Sequence, residues 1–423
     1  MKRYLTGIDW FINALDYTLR KKTGIGNTSQ VVLELGGYPD EELLNKRLEE
    51  VSFEYPIIFG HPARAFNLCP YWKKSSRPGR IPLNTCHLTP ENDFKDIIKV
   101  FSEELNKPFS GRNEHIRFNL IYQGKRSFLG IIFDHRLMDA RGAEAFLDFL
   151  GGDSGLSLKG SLYEPSHLNN WMSKFRAGRE VNRFFLNLTQ KKPRFLEAFS
   201  LGSGSEFKAI TFDREQSSKI NQDALSQAGY LMTMPYILSK IIFILHKVFA
   251  GRNNSSSEYL IPVSIDTRSN ELARKEILFN HLSFFLFRIS ASEALNLQAV
   301  IDSIKEQMYN QIKMGLPQAI KEASFLMRIA PLFLIDLILK IMSKGNPASF
   351  SFAFVGAGAY AGDSFMQVPV KNIFHLPRVP SPPGLGVFFN QYQMNLNAVF
   401  SYAKGLLSDD ELERIKSEIS SLA

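Results

Sequence analysis

The chain has 423 residues, 44% hydrophobic and 22% charged, which is the make-up of an ordinary globular protein and excludes a disordered or low-complexity one. At about 100–200 residues per domain, this length predicts two or three core-forming units. A net charge of +8, evenly spread, is too modest to argue for nucleic acid, and suits a phosphate-bearing cofactor or an acidic carrier protein as well as no charged partner at all. The 35 phenylalanines point first to thick apolar cores and second to a greasy substrate channel. Two cysteines, Cys69 and Cys86, are too few for a disulfide framework and too far apart for a CxxC motif, so a reducing cytoplasm is expected. No uninterrupted apolar run of signal-peptide length occurs between Met1 and Lys22, so no export is expected.

In chain order, Gln30 to Leu35 reads as a strand. Asp40 to Val51 reads as a helix with Asp40 as its N-cap and Leu43, Leu44, Leu48 and Val51 on one face. Phe66 to Leu88, rich in Pro, Lys, Arg and Ser, reads as a loop, and Glu91 to Leu105 as a helix. Ile116 to Tyr122 and Ser127 to Phe133 read as a strand pair turning at Gly124. Lys174 to Arg194 is a basic helical stretch, either a solvated connector or a docking face for an acidic carrier or anionic lipid. The boundary between halves is placed there, giving residues 1–175, a connecting segment 176–204, and residues 205–423. The second half reads as a strand at Glu206 to Asp213, helices at Gln216 to Ala228 and Met234 to Phe249, and strands at Tyr259 to Ser264 and Ser283 to Ile289. A long helix follows at Glu293 to Met314, then strands at Ser349 to Val355, Gly386 to Gln391 and Leu396 to Tyr402. The last helix starts at Asp409, with Ser408 and Glu411 in the capping-box pattern. Phe325 to Met342 is the greasiest stretch, but Arg328, Pro331, Asp336 and Lys340 interrupt it. A packed helix is expected there before a membrane span, with a helix lying in a membrane interface as the alternative. Both halves mix strands and helices, so the class is α/β or α+β.

The chemistry concentrates between Phe128 and Leu150. Phe128 to Phe133 is wholly apolar and of strand length, whereas Ala143, Phe146, Leu147 and Leu150 follow the helical period. Between them lies the polar turn Asp134-His-Arg-Leu-Met-Asp-Ala-Arg141. A histidine on a turn held between two buried elements has a rigid backbone and a side chain free to face a cleft. One nitrogen of a neutral imidazole accepts a proton, and an unperturbed pKa of about 6.5 suits a general base at neutral pH. The competing reading is a structural histidine. A metal reading of His135 and Asp139 at i, i+4 has no evident third ligand.

His135-x-x-x-Asp139 after an apolar strand resembles the HxxxDG motif of the chloramphenicol acetyltransferase, peptide-synthetase condensation domain, plant BAHD acyltransferase and wax ester synthase superfamily. Pro262-Val-Ser-Ile-Asp-Thr-Arg268 resembles the segment that carries an arginine partner for the motif aspartate. Phe279-Asn280-His-Leu-Ser283 resembles the Gly-Asn-x-x-Ser step of the wax ester synthase branch, which is the nearest in character. The opening strand and helix with Tyr55-Pro-Ile-Ile, and the segments from Ser349 onward, extend the resemblance over nearly the whole chain.

The resemblance implies two similarly folded subdomains, each a mixed sheet with helices, and an active site at their interface. It implies His135 as catalytic base in a tunnel and Asp139 paired with Arg268 as structural support. The donor would be an acyl-CoA or acyl-carrier-protein thioester, so coenzyme A or phosphopantetheine enters as substrate and no permanent cofactor is needed. The acceptor would be a small hydroxyl or amine compound, lipophilic in character, with peripheral membrane contact allowed for. Asp134, Asn280 and Ser351 are accessory candidates, and Ser349 and Ser351 are the guesses for the oxyanion donor. The chain departs from the pattern at Ala140 (the motif glycine), at Asp134 (often a second histidine), at Phe279 (a glycine in relatives) and at Phe354-Val-Gly356, where some relatives carry an asparagine. The alternative reading is a non-catalytic, condensation-type or epimerising relative that binds carrier protein.

Two other signals carry less. Gly356 to Gly362 resembles a dinucleotide loop, but extended residues follow it and not a helix, so it reads as a turn between strands. Cys86 adjoins His87, yet neighbours on an extended segment point apart. His61, His115, His167, His246, His281 and His375 are scattered and receive no role.

Overall fold

Runs of β-branched and aromatic residues assemble two six-stranded sheets in the computed structural model, which describes residues 2–76, 79–152, 158, 171–199, 202, 204–252, 257–343 and 345–422. The first sheet has the order Ser364–Phe365, Val368–Pro377, Thr28–Leu35, Arg126–Asp134, Ile116–Gln123, Leu83–Leu88. Its central strands read as nearly continuous apolar runs because both faces are covered. On one face Val31, Leu33, Ile131 and Phe133 pack on Phe146, Leu147 and Leu150 of the helix Ala140–Gly151. On the other, Val32, Phe128, Ile132, Phe374 and Leu376 meet Ile97, Phe101 and Leu105 of the helix Phe94–Leu105, together with Phe207 and Val399 of the second sheet. That second cluster is the seam between the sheets.

The second sheet has the order Leu282–Ser290, Glu258–Asp266, Ser351–Ala357, Leu385–Tyr392, Asn395–Ala403, Ser205–Phe212. Ser351–Ala357 runs parallel to both of its neighbours. The helix Thr233–Gly251 covers one face with Tyr236, Ile237, Ile241, Leu245 and Phe249. By length and composition this helix alone among the described residues could cross a membrane, but 67% of the relevant window is buried inside the protein, as a core helix is.

Several expectations change. The strand Val368–Pro377 belongs to the C-terminal part of the chain yet pairs with Thr28–Leu35, so a boundary at 176–204 divides the sequence but not the sheets. Phe66 to Leu88 is not all loop: Pro70–Lys73 pairs with Arg3–Tyr4 and His61–Arg64, and Leu83–Leu88 forms a sheet edge. Edge strands tolerate the Pro, Lys and polar residues that made this stretch read as irregular. The helix expected from Glu91 starts at Phe94, where Asp93 caps it. The apolar stretch from Phe325 breaks at Pro331 into a 3-10 turn and the helix Leu332–Met342. That helix packs as expected on one side, with Ile335 in the core and Leu332 and Leu339 against it, while Phe333, Leu337, Ile338 and Ile341 on its other side are exposed. The basic stretch forms the helix Trp171–Leu188, and His167 and part of the 176–204 connector lie outside the described residues.

Candidate active site

The strand Arg126–Asp134 ends where His135 N–H donates to the Asn27 carbonyl at 2.8 Å. Leu137 N–H then closes a turn on the Asp134 carbonyl at 2.9 Å. The helix begins at Ala140 because Asp139 caps it, accepting from Gly142 N–H at 2.8 Å. Ala140 is therefore the first helical residue and not at positive φ, so the missing motif glycine leaves no strain.

Gly142 has the sharper requirement. A Cβ there would sit 2.2 Å from the Ile277 carbonyl oxygen, which is backbone and cannot swing away. Gly142→Ala is expected to lower stability by about 1–3 kcal/mol despite its better helix propensity. A urea midpoint unchanged in that variant would contradict the close approach of the 277–281 segment to this helix.

Asp139 and Arg268 fasten the two segments together. Arg268 Nη2 lies 2.8 and 2.7 Å from the two carboxylate oxygens of Asp139, and both side chains are almost fully buried. Arg268 also pairs with Asp266 at 2.7 Å and donates to the Glu276 carbonyl at 2.7 Å. His281 N–H donates to Asp139 at 3.2 Å, and Phe279 N–H to the Leu137 carbonyl at 2.6 Å. Burial pushes the Asp139 carboxyl up, but the Arg268 guanidinium outweighs it and holds the group below the usual carboxylate range.

Phe279 takes the position where the resembled pattern has glycine, and it stands at φ 72° with no exposure. A bulky residue there is strained by about 1–3 kcal/mol. Its ring is held under the Arg3 guanidinium at 4.4 Å and against Trp72 at 5.7 Å. The strained turn presents the next residue, Asn280, to His135.

His135 is half-buried, and Asn280 determines what its ring does. The Asn280 amide nitrogen donates to the His135 carbonyl oxygen at 2.8 Å, which fixes the amide's orientation. Its Oδ1 then faces His135 Nδ1 at 3.1 Å and has only an acceptor to offer. In the neutral ring this contact puts the proton on Nδ1 and leaves Nε2 with the lone pair. Asn280 is itself anchored by Asp9, whose Oδ1 accepts the Asn280 backbone N–H at 3.0 Å and approaches its amide nitrogen at 3.5 Å. Asp9 is fully buried and lies on the first helix, Gly7–Thr23.

The other candidates fall elsewhere. Asp134 neither orients His135 nor caps the helix. It is fully buried and takes Arg136 at 2.5 Å and His115 Nδ1 at 3.0 Å, with Arg20 at 3.4 Å. Burial opposes its charge, but Arg136 and His115 together hold its carboxyl far below the usual range. His115 also reaches the Gly60 carbonyl through Nε2 at 2.7 Å. Ser349 is level with Leu260, whose N–H its hydroxyl oxygen accepts at 3.1 Å. Phe352 lies opposite Val263, so Ser351 is level with Pro262, on the order of 13 Å along the sheet from the Asp266 end. Asp9, His115 and Arg136 were not expected from the sequence.

Held in this tautomer on a turn pinned from two sides, the neutral form of the ring is equipped to take a proton from a bound hydroxyl or amine through Nε2. No protein-family model matches the sequence, and no curated protein matches it. Solved structures do match. Trichothecene 15-O-acetyltransferase from Fusarium sporotrichioides aligns over 100% of this chain and 94% of its own, with a TM-score of 0.69 at 12% identity. The starter condensation domain of rhizomide synthetase, solved in complex with C8-CoA, covers 100% of this chain and 94% of its own, with a TM-score of 0.67 at 10% identity. The epimerization domain from the third module of tyrocidine synthetase B covers 100% and 96%, with a TM-score of 0.61 at 12% identity. This chain has the two-sheet fold of the condensation-domain and chloramphenicol-acetyltransferase-like acyltransferases.

Proposed function

We propose that the protein is an acyltransferase that moves an acyl group from an acyl-CoA or acyl-carrier-protein thioester to a hydroxyl acceptor, with an amine as the second choice. The observation that carries this reading is the Asn280 contact that leaves Nε2 of His135 as the free base. In the proposed reaction the acceptor O–H gives its proton to Nε2 as its oxygen attacks the thioester carbonyl carbon. The tetrahedral intermediate collapses with cleavage of the C–S bond, and the departing thiolate takes the proton back from Nε2. Protons and charge balance without a metal or redox partner. Asp139 and Arg268 support the turn and touch no reacting atom. The likeness to an O-acetyltransferase and to a condensation domain holding an acyl-CoA supports both the donor class and the preference for oxygen. The wax-ester-synthase-like Asn280 step and the exposed face of Phe333, Leu337, Ile338 and Ile341 support a lipophilic acceptor and peripheral membrane contact from the cytoplasm.

The test is thiol release from an acyl-CoA ladder with alcohols and amines supplied separately. Alcohol-dependent release is expected. Release that only amines support would contradict O-acylation. Acyl-CoA and carrier-loaded donors that both stay intact would contradict acyl transfer and favour the carrier-binding or epimerising alternative.

A further inference from the structure

Arg378 follows the strand Val368–Pro377 and is only 7% exposed, yet among the described residues no carboxylate pairs with it. Its Nη1 donates to the Gly26 carbonyl at 3.3 Å, and its Nε meets no acceptor. The ladder pairs Leu376 with Gln30 and Pro377 with Ser29, and Arg378 N–H continues it to the Thr28 carbonyl at 3.4 Å. Thr28 therefore lies opposite Arg378 on one face of the sheet, with Gln30 next along that face. Thr28 Oγ1 and both polar side-chain atoms of Gln30 likewise meet no partner among the described residues, at 1% and 0% exposure. Buried polar atoms are nearly always satisfied, and a buried cation without a counter-charge is costly, so unpaired groups gathered at one place need an explanation. Burial alone pushes Arg378 down to about 10.

The location matters. Leu376, Phe374 and Val32 on the same face pack against Phe207 and Val399, so this face looks into the seam between the sheets. Thr28 pairs on its other side with Asp134, the neighbour of His135. One strand thus separates Arg378 from the strand that ends at His135, a span of about 10 Å between outer backbones. Asp134 is not the missing partner, since Arg136 and His115 occupy it.

We propose that Arg378, with Thr28 and Gln30, binds a carboxylate carried by the substrate, on the acyl chain or on the acceptor. A guanidinium takes a carboxylate in a forked pair, and the Thr28 hydroxyl and Gln30 amide supply further donors. The phosphates of a CoA or phosphopantetheine thioester fit less well, because the pantetheine arm holds them further from the reacting carbonyl than two strand spacings. Assigning the carboxylate to the substrate of His135 rests on the acyl-transfer reading, but the anion site itself does not.

The test is thermal unfolding of the full chain with octanoate, octanol or inorganic phosphate as probe. Octanoate is expected to raise the wild-type Tm with concentration, and octanol and phosphate to leave it in place. Arg378→Met is expected to bind octanoate at least about tenfold more weakly while its own Tm is equal to or above that of wild type, because an unpaired buried cation has been replaced by an apolar chain of similar size. Gln30→Leu is expected to reduce the octanoate shift in part. His135→Ala is expected to keep the full shift, which separates this site from the catalytic reading. A wild type that octanoate leaves unmoved overturns the proposal, as does an octanoate shift that survives in Arg378→Met. So does a phosphate shift that Arg378→Met abolishes, or an Arg378→Met protein less stable than wild type.

Discussion

Replacing Arg268 by Met is expected to cost about 3–5 kcal/mol of folding stability, because it strands the Asp139 carboxylate in a buried site with no cation. Asp139→Asn is expected to cost less. In that variant Arg268 keeps Asp266 and the Glu276 carbonyl, and Asn remains a competent N-cap for the helix at Ala140. The two losses are thus unequal although the same ion pair is broken. The pH dependence follows from the depressed carboxyl of Asp139. In the wild type its contribution is present above the ordinary carboxylate pKa and is lost as pH falls through the depressed folded value. In Arg268→Met, protonation relieves the stranded charge, so the deficit relative to wild type narrows as pH falls. Urea unfolding of both variants at neutral and mildly acid pH checks this. Equal losses in the two variants at neutral pH would contradict it.

Removing the base, His135→Ala, is expected to slow turnover by about 10²–10⁴. Asn280→Ala is expected to slow it by less, since the ring stays but loses the acceptor that holds the proton on Nδ1 and so favours a free Nε2. Asn280 acts through His135 and is a positioning residue, so the double variant is expected to be no slower than His135→Ala. The kcat/KM values of the two single variants and the double variant decide this. Losses that add would show Asn280 working on the substrate independently of the ring.

The parts of the site that local pattern controls were legible in the sequence. The apolar run Phe128 to Phe133 and the helical period from Ala143 to Leu150 place a polar turn between two buried elements, and that turn carries His135 and Asp139. The parts made by long-range contact were not. Asp9 holds Asn280 across a separation of 271 residues, and nothing near either residue marks the pair. The departure at Phe279 is visible in the sequence, but that the backbone still holds positive φ there is a product of packing around Arg3 and Trp72. The level of Ser351 along the sheet was not legible, because strand register is not encoded in its neighbours. Val368–Pro377 joins the first sheet through a ladder with residues more than 300 positions earlier, which the order of segments does not announce.

The central claim is that His135 is the base of a thioester-dependent acyl transfer, and thiol release from acyl-CoA donors of graded length, with wild type beside His135→Ala, tests it most directly. The account predicts acceptor-dependent release by wild type that collapses by about 10²–10⁴ in a variant that remains folded. Release that proceeds equally well without the imidazole would contradict it.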